Sequence, residues 1–273
     1  NIVLMALVML DCLVLPPRYR GVGVGIAAAV KIIPGIFVLY FLLRRDWRAV
    51  AVCGVTFVTT VLVSVIVMPH ETISYWTHLM GAAARTGDTI SSVNQSLPAV
   101  LARLMHDRYP PTVVVALVSV CGILIAAMAA RRELARGHDL AALVCIAIGG
   151  LLASPVSWTH HYVWAAPALI ILFIEKRTVA AAVGAAIFYW APMHNIAFNH
   201  GAKLTYGPWE LFVSTAYPLA AVLWLVSRFF ARAETAYSTD PSDEQVQSSA
   251  EFMPYDNANA GMPPAQVSGR HTV

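Results

Sequence analysis

The amino-acid sequence predicts an all-α protein, a multi-pass transmembrane bundle of helices. Three observations support this fold class. Of the 273 residues, 58% are hydrophobic and 12% are charged, and a soluble domain carries about twice that charged fraction. Several apolar runs approach or exceed the roughly 18–20 residues that cross a bilayer. The Lys and Arg residues fall in short clusters between these runs, which is a topological pattern and gives no sign of nucleic-acid binding.

The apolar runs define eight segments, so we expect about eight helices. Their boundaries are residues 1–15, 21–43, 49–68, 112–130, 140–157, 162–174, 178–191 and 211–227. Four short connections carry ten Lys and Arg residues, whereas the much longer remaining connections carry six. The basic connections are residues 44–48, 131–139, 175–177 and 227–234. The positive-inside rule therefore places them in the cytoplasm and the other connections on the outer face.

The two ends of the chain differ from its middle. Residues 1–232 form the predicted transmembrane domain, whereas residues 233–273 are polar, rich in Pro and Ser, and poor in apolar runs. Such a segment cannot bury a core, so we expect a disordered cytoplasmic tail. The first run does not open with Met, has no basic leader and is short for a full span. We therefore expect a fragment that begins within a transmembrane helix.

An amphipathic segment, residues 71–87, lies in the long connection before the fourth apolar run. Apolar residues recur there at helical spacing from Ile73. Tyr75 and Trp76 are an aromatic pair of the kind found at headgroup depth. We predict a helix that lies in the outer interface, and an ordinary structured loop is the alternative.

A polar turn, SPVSWTHHYVW at residues 154–164, interrupts the longest uncharged run. The stretch from Leu140 to Ile174 contains 35 residues, which corresponds to about 52 Å of helix. Two crossings of the hydrocarbon core need about 60 Å. We therefore expect the turn to dip into the outer leaflet, where protein or a water-filled cavity covers it. Pro155 ends the first helix, Ser157 can cap the second, and Trp158 is a typical interfacial residue.

The adjacent histidines of this turn, His160 and His161, allow three interpretations. In the structural one, each imidazole donates to a nearby carbonyl. Metal binding is disfavoured, because adjacent helical histidines point apart and no carboxylate or Cys lies at a ligand spacing. In the third interpretation, one imidazole hydrogen-bonds or protonates an anionic or hydroxyl ligand in an outer cavity.

Lys31 is a charged residue near the middle of the second apolar run. A charge at that depth costs roughly 2.5–3.5 kcal/mol or more, so it usually faces a partner or a cavity. Pro34 frees a carbonyl acceptor one turn earlier and kinks the helix. We predict a site lysine with an anionic partner, the alternatives being snorkelling to the interface and a structural pairing with Asp11.

A polar cluster, SSVNQS at residues 91–96, precedes a short apolar stretch. Asn94-Gln95-Ser96 is a formal glycosylation sequon, but such tripeptides are frequent by chance and the same residues suit N-capping of a helix. Arg103 follows on the same predicted outer side and could hold a phosphate or a carboxylate.

Taken in order, these motifs resemble glycosyltransferase family 87, the actinobacterial polyprenol-phosphate-mannose-dependent alpha-mannosyltransferases. The resemblance covers about residues 1–230. The residues that carry it are Asn1, Lys31 with Pro34, Tyr75 with Trp76, Asn94-Gln95-Ser96 with Arg103, and the S-P-x-S-W-x-H-H motif from Ser154 to His161.

The resemblance implies a GT-C membrane fold and a mannose donor carried on polyprenyl phosphate. It implies an acceptor such as a phosphatidylinositol mannoside, lipomannan or arabinomannan, with inversion at the sugar carbon. The general base of GT-C enzymes is an acidic residue in the first outer loop, which would precede residue 1, so this chain alone is expected to be inactive. No metal and no cofactor are implied. The site is expected on the extracytoplasmic face of the plasma membrane.

The predicted site combines two groups of residues. The catalytic candidates are His160 and His161, which would serve the phosphate or orient the acceptor. The substrate-binding candidates are Lys31, Tyr75, Trp76, Asn94, Gln95, Ser96, Arg103, Ser157 and Trp158. The expected partners are the lipid-linked donor, the glycolipid or glycan acceptor and the bilayer.

Two other functions remain open at this stage. A transporter or lipid flippase would use Lys31 and the histidines to line a path, and should place polar residues at midplane on paired discontinuous helices. A membrane scaffold subunit would have no outer cavity. The predicted clustering of polar residues at one interface favours the enzyme.

Overall fold

The computed structural model describes residues 1–79, 90–196 and 205–230, and this part of the chain is helical apart from loops and one isolated β-bridge. Its α-helices are α1 (Ile2–Met9), α2 (Val22–Val30), α3 (Val38–Leu43), α4 (Trp47–Val67), α5 (Pro69–Ser74), α6 (Leu97–Met105), α7 (Thr112–Ala135), α8 (Asp139–Ala153), α9 (Ala165–Ile174), α10 (Thr178–Trp190), α11 (Pro208–Ser214) and α12 (Ala216–Phe230). Shorter 3₁₀ or π-helical turns lie at Leu10–Val14, Pro17–Tyr19, Ile33–Phe37, Tyr75–Leu79, Thr159–Trp164 and Pro192–Asn195. The predicted tail, residues 233–273, lies outside the described residues.

All eight predicted segments are helical, but the expected number of about eight helices was wrong. α5 and α6 lie in the long connection, and two predicted segments are each broken into two helices. The second segment breaks at Lys31, whose backbone is extended with φ −152° and ψ 124°. The break is sharper than the predicted kink. It directly follows Val30, whose carbonyl cannot receive a hydrogen bond from Pro34. The last segment bends by 62° between α11 and α12.

Two helices, α4 and α7, are each long and apolar enough to cross a membrane, and the bent pair of α11 and α12 makes up to three such spans in the described part. The other apolar helices are shorter. α8 and α9 have 15 and 10 residues, which agrees with the expectation that this pair is too short for two full crossings. The depth of the turn between them in a bilayer stays a prediction.

The core of the bundle is built around α8. Twelve of its fifteen residues are buried, from Ala141 to Leu152, because the helix is apolar on all sides. Small residues allow close packing: a Cβ at Gly149 would lie 2.6 Å from the Cβ of Ala126 in α7. α8 therefore fixes the position of the turn that follows it.

The N-terminal helices are held together by Asp11, which accepts hydrogen bonds from the backbone of Gly21 at 2.8 Å and Val24 at 2.7 Å. These contacts supply acceptors for N–H groups at the start of α2. The backbones of α2 and α4 are in close contact, and a Cβ at Gly25 would lie 2.7 Å from the carbonyl oxygen of Cys53. The pairing of Asp11 with Lys31 was therefore wrong, because both carboxylate oxygens bind the backbone of α2.

The basic connections meet at one end of the bundle, which we call the charged end. There Arg44 pairs with Asp139 and Arg228 with Glu175, while the Nη1 atom of Arg136 lies 2.7 Å from Glu133. The polar turn and the N-Q-S residues meet at the opposite ends of α7 and α8. The polar turn and the N-Q-S residues are thus separated from the basic connections as predicted. The placement of the connection at residues 16–20 with them was wrong, because Arg48 of a basic connection donates to the carbonyls of Pro17 and Arg18 at 2.9 Å. The compartment that each end faces stays a prediction.

Candidate functional site

Three motif residues that are far apart in the sequence meet around one ammonium group, and we call this cluster the lysine pocket. The Nζ atom of Lys31 donates to Oδ1 of Asn1 at 3.2 Å and lies 3.0 Å from Nε2 of His161. The side-chain amide of Asn1 in turn donates to the carbonyl of His160 at 2.8 Å. The start of α1, the break after α2 and the polar turn therefore converge.

The local backbone explains how each side chain reaches the lysine pocket. Lys31 leaves the helical path because the chain is extended at this residue. His160 and His161 lie on the 3₁₀ turn Thr159–Trp164, with ring centroids 4.5 Å apart in an edge-on contact. His161 lines the pocket and is partly buried, whereas the side chain of His160 is exposed. The two histidines thus have different environments, which the sequence alone left undecided.

The cavity of the lysine pocket is small, at about 50 Å³. Its walls are apolar and include Val8, Pro34, Leu151 and Trp164. The ring of Phe37 packs against that of Trp164 at a centroid distance of 4.9 Å. No carboxylate lines this cavity among the described residues. The charge of Lys31 therefore faces an apolar space with neutral partners, which is an environment suited to an anionic group.

A second polar cluster, which we call the N-Q-S core, consists of Asn94, Gln95, Ser96, Arg103 and Ser157, and all five are fully buried. Asn94 accepts from the backbone N–H of Ser157 at 2.9 Å, and the backbone N–H of Gln95 donates to the carbonyl of Ser157 at 2.7 Å. Ser96 caps α6 by accepting from Ala99 at 3.2 Å. This core joins the N-Q-S motif to the polar turn.

Gln95 extends the N-Q-S core toward the bend between α11 and α12. Its side-chain amide donates to the carbonyls of Ser92 and Ser214, and its oxygen accepts from the backbone of Tyr217. The hydroxyl of Tyr162 donates to the Gln95 carbonyl at 2.6 Å. Both polar atoms of the buried Gln95 side chain are therefore in use.

Arg103 is enclosed in the same core. Its guanidinium donates to the carbonyls of Ser91, Asn94 and Ser214 at 2.8, 2.9 and 3.1 Å. Burial lowers the pKa of Arg103 to about 10, so the group stays charged at neutral pH. Its Nε atom has no hydrogen-bond partner among the described residues. In this arrangement Arg103 joins the segment before α6 to the end of α11, and its predicted contact with a phosphate or carboxylate stays a prediction.

The remaining predicted site residues lie apart from the lysine pocket. The hydroxyl of Ser157 donates to the carbonyl of Leu151 at 2.7 Å, so the prediction that it caps the following helix was wrong. Trp158 forms the isolated bridge with Asn94. Trp76 packs edge-on against Phe57 at 5.8 Å. The predicted helix at residues 71–87 is confirmed as far as residue 79, beyond which the described residues end.

Sequence reasoning missed a large apolar cavity of about 690 Å³ between α9, α10, α11 and α12. It shares two wall residues, Leu151 and Trp164, with the lysine pocket. Its aromatic lining residues are Tyr162, Trp164, Phe188, Trp190, Trp209, Phe212 and Trp224. One signal in the sequence was the Ala- and Gly-rich composition of α10, TVAAAVGAAIFYW, none of whose residues is buried. Asn1 was the other omission, because it was recognised as a motif residue but not as part of the site.

A metal site finds no support in the described residues, which hold no group of three or more His, Cys, Asp or Glu side chains close enough to share an ion. Near the two histidines in the sequence, the hydroxyl of Thr159 lies 3.2 Å from Nε2 of His194 on the exposed surface. The polar groups of the lysine pocket are Lys31, Asn1 and His161.

Comparison with known proteins gives a family match. The pattern of "Glycosyltransferase family 87" matches residues 1–155. In the comparison with solved structures, no match reached significance.

Several curated proteins are similar to this chain. One, from Mycobacterium tuberculosis, is named a polyprenol-phosphate-mannose-dependent alpha-(1-2)-phosphatidylinositol mannoside mannosyltransferase and is 34% identical over 204 residues, which is 71% of this chain and 47% of the relative. A protein of the same name from Mycolicibacterium smegmatis is 33% identical over 261 residues, 88% of this chain and 59% of the relative.

A third relative, from Mycobacterium tuberculosis, is named a polyprenol-phosphate-mannose-dependent alpha-(1-2)-phosphatidylinositol pentamannoside mannosyltransferase. It is 39% identical over 158 residues, 56% of this chain and 36% of the relative. The chain spans about half the length of the first two relatives.

Proposed function

The chain belongs to glycosyltransferase family 87, and from this premise we propose that it is the part of a membrane mannosyltransferase that holds the lipid-linked sugar donor. The donor would be polyprenyl-phosphate-mannose, and the acceptor a phosphatidylinositol mannoside or a related mannosylated glycan. The relatives described above are named for this donor and for alpha-(1-2) transfer. We propose the same linkage here.

One observation carries the proposal. Lys31 lies at hydrogen-bond distance from Asn1 and His161, although it is separated from them in the sequence by 30 and 130 residues. A cation held in an apolar cavity is expensive unless it meets a partner, and no carboxylate lines the cavity in the described part of the chain. The phosphate of the donor has the charge and the oxygen acceptors that Lys31 requires.

We propose the following transfer of mannose at the lysine pocket. An acceptor hydroxyl attacks C1 of the mannose, a new C1–O bond forms, and the bond between C1 and the phosphate oxygen breaks. The polyprenyl phosphate leaves with the bonding electron pair, and the hydroxyl proton passes to a general base. Lys31 would stabilise the negative charge that grows on the leaving phosphate. We propose inversion at C1, with the base supplied from outside the lysine pocket, since none of the described lining residues is an acid.

The large apolar cavity gives the hydrocarbon chain of the donor a place beside the lysine pocket. Its volume of about 690 Å³ falls within the range of roughly 300–1,000 Å³ of ligand sites. Its shared wall at Leu151 and Trp164 would let one molecule occupy both, with its phosphate at Lys31. Since a bilayer is as apolar as this cavity, selectivity would come from packing and from the phosphate.

The arrangement of charges supports a site on the extracytoplasmic face of the plasma membrane, in a GT-C-type fold. The charged end gathers the Arg-rich connections, and the positive-inside rule assigns such an end to the cytoplasm. The lysine pocket is at the other end of α8, from which the polar turn leads to His161.

The test uses membrane vesicles that contain the complete protein, radiolabelled polyprenyl-phosphate-mannose and a phosphatidylinositol mannoside acceptor. We expect labelled mannose to appear in the acceptor. Lys31→Met should lower transfer by about 100-fold, the loss typical of removing one group that stabilises transition-state charge. Lys176→Gln, which changes an exposed lysine at the charged end, is the matched control.

Two outcomes would reject the function. One is the absence of acceptor labelling by unmodified protein. The other is movement of intact donor between leaflets without any transfer, which is the result expected of a flippase.

A further inference from the structure

We propose that His161 and Asn1 act on Lys31 and not on the sugar: they accept hydrogen bonds from two of the three ammonium N–H groups and leave the third N–H for the donor phosphate. In this arrangement His161 is a positioning residue, and Lys31 is the group that contacts the substrate. The inference rests on the function proposed above and deepens it, because it assigns separate roles to residues that the motif presents together.

The donors and acceptors of Lys31 and His161 determine the protonation state of the His161 ring. An ammonium group has three N–H donors and no acceptor. The Nε2 atom of His161, 3.0 Å from Nζ of Lys31, must therefore be the acceptor. The imidazole is then neutral and carries its proton on Nδ1. That Nδ1 atom is buried and has no hydrogen-bond partner within the described ranges.

This state is unsuited to proton transfer. The lone pair of Nε2 is engaged by Lys31, so it is not free to take the proton of an acceptor hydroxyl. The Nδ1 proton is enclosed by protein, and general acid–base catalysis needs the group within hydrogen-bond reach of the reacting atom. Gain of a proton at Nε2 would also place a second positive charge 3.0 Å from the first.

Asn1 completes the arrangement, and its orientation follows from its two contacts. The amide nitrogen must face the His160 carbonyl, which only accepts, and the amide oxygen must face Lys31, which only donates. One short turn thus holds the ammonium twice, through the His161 ring and through the His160 backbone by way of Asn1. His160 contributes its carbonyl to this contact, while its side chain is exposed.

The chemical type of the two acceptors has a consequence for binding. A carboxylate in either place would hold Lys31 more strongly, but it would also neutralise the charge that attracts the phosphate. An amide oxygen and a neutral imidazole nitrogen orient the ammonium and leave its full charge available. Lysine is a flexible side chain that loses rotamer entropy when it is held in one conformation, so fixing it before the substrate arrives lowers the ordering cost of binding.

The decisive comparison is between two replacements of His161 in the complete protein in membrane vesicles. In His161→Gln, the amide oxygen can replace Nε2 as the acceptor, so we expect mannosyl transfer within about fivefold of the unmodified protein. His161→Leu removes the acceptor and should lower transfer about 50-fold, mainly through a higher KM for the donor. If His161 were a general acid or base, Gln could not transfer the proton, and His161→Gln would be as inactive as His161→Leu.

A double-mutant cycle tests whether His161 acts through Lys31. In a Lys31→Met background, His161→Leu should lower residual transfer by less than about twofold, because the group that it positions is already gone. Independent losses that multiply would overturn the proposal. Asn1→Asp is the charge test: the carboxylate keeps an acceptor for Lys31 and neutralises its charge, and it also gives up the donor to the His160 carbonyl, so we expect the KM for the donor to rise at least tenfold. An unchanged or lower KM would count against the charge argument.

A binding measurement separates this inference from the function on which it rests. Thermal stabilisation of the purified, detergent-solubilised protein by a short prenyl phosphate should be retained in His161→Gln and lost in His161→Leu and Lys31→Met. If the unmodified protein transfers no mannose but shows this binding pattern, the mannosyltransferase function fails and the positioning role stands. If it transfers mannose and both His161 variants bind alike, the positioning role fails.

Discussion

The two polar clusters at the motif end of the bundle differ in how far their hydrogen bonds are satisfied within the protein. In the N-Q-S core, Gln95 and Arg103 are fully buried and bind backbone carbonyls from two parts of the chain, the segment before α6 and the end of α11. In the lysine pocket, Lys31 is only partly buried and contacts two neutral side chains beside a cavity. The spare donor of the core, Nε of Arg103, is buried and lines neither cavity. The spare N–H of Lys31 lies beside a cavity, so the first cluster stabilises the fold and the second can bind a ligand.

The largest expected effect is the loss of the fold on removal of the buried guanidinium. Arg103→Met would leave the carbonyls of Ser91, Asn94 and Ser214 without this donor. The carbonyls of Ser91 and Ser214 keep other donors, the Asn94 N–H and the Gln95 side chain. Because one hydrogen bond to a charged group contributes about 1.5–3 kcal/mol, the loss of three should cost roughly 3 kcal/mol or more. The measurement is the folded yield and the thermal midpoint of the detergent-solubilised protein.

Arg131→Gln is the matched control, because Arg131 is exposed on α7. Its midpoint should be unchanged. A stable Arg103→Met protein that has lost only donor binding would show that the N-Q-S core belongs to the substrate site and would remove the contrast between the two clusters.

The second effect is a loss of activity without a loss of stability. Lys31→Met removes a charge from an apolar cavity, so the free energy of unfolding should stay within about 0.5 kcal/mol of the unmodified value or rise. Mannosyl transfer should nevertheless fall about 100-fold. Thermal unfolding and the vesicle assay on the same preparation provide both quantities.

A fall in the thermal midpoint as large as that of Arg103→Met would contradict this expectation. Lys31 would then be a structural residue whose charge the fold requires, and the phosphate assignment would lose its main support.

The sequence predicted the helical segments well because apolar runs and basic connections are local signals. It also placed Lys31, His160 and His161 among the candidates, since a charge and a polar turn stand out in an apolar background. It could not separate the role of Arg103 from that of Lys31, because each is a basic residue for which an anionic partner could be predicted. Only the fold decides that three carbonyls enclose one of them while the other faces a cavity.

Other features depend on contacts between distant segments. The break at Lys31 was expected as a kink from Pro34, but the extended backbone at that residue could not be derived from the proline alone. The role of Ser157 was wrong because a helix-capping residue can serve either neighbouring helix, and here its hydroxyl reaches back to Leu151 in α8. The large cavity depends on how α9, α10 and α12 diverge, which the Ala- and Gly-rich composition of α10 indicates only weakly.

A smaller effect is expected where a single donor is removed from the N-Q-S core. Tyr162→Phe deletes the hydroxyl that donates to the Gln95 carbonyl at 2.6 Å. The loss of one buried hydrogen bond should lower the free energy of unfolding by about 1 kcal/mol, as measured by denaturant titration in mixed micelles. Tyr189→Phe is the control, because Tyr189 is 94% exposed and should show no change. Equal free energies of unfolding for the two variants would mean that the hydrogen bond from Tyr162 does not stabilise the N-Q-S core.

The smallest effect tests where the lysine pocket ends along the polar turn. Thr159 lies two residues before His161, and its hydroxyl is 3.2 Å from Nε2 of His194 on the exposed surface. Water replaces an exposed hydrogen bond at little net cost, so Thr159→Val should change stability by less than about 0.5 kcal/mol and transfer by less than about twofold. A tenfold loss of transfer with normal donor binding would extend the site to His194 and would place acceptor recognition on the exposed side of the turn. The expected lack of effect of this variant, compared with the large effect at Lys31, would confine the functional part of the turn to the His161 ring and the His160 carbonyl.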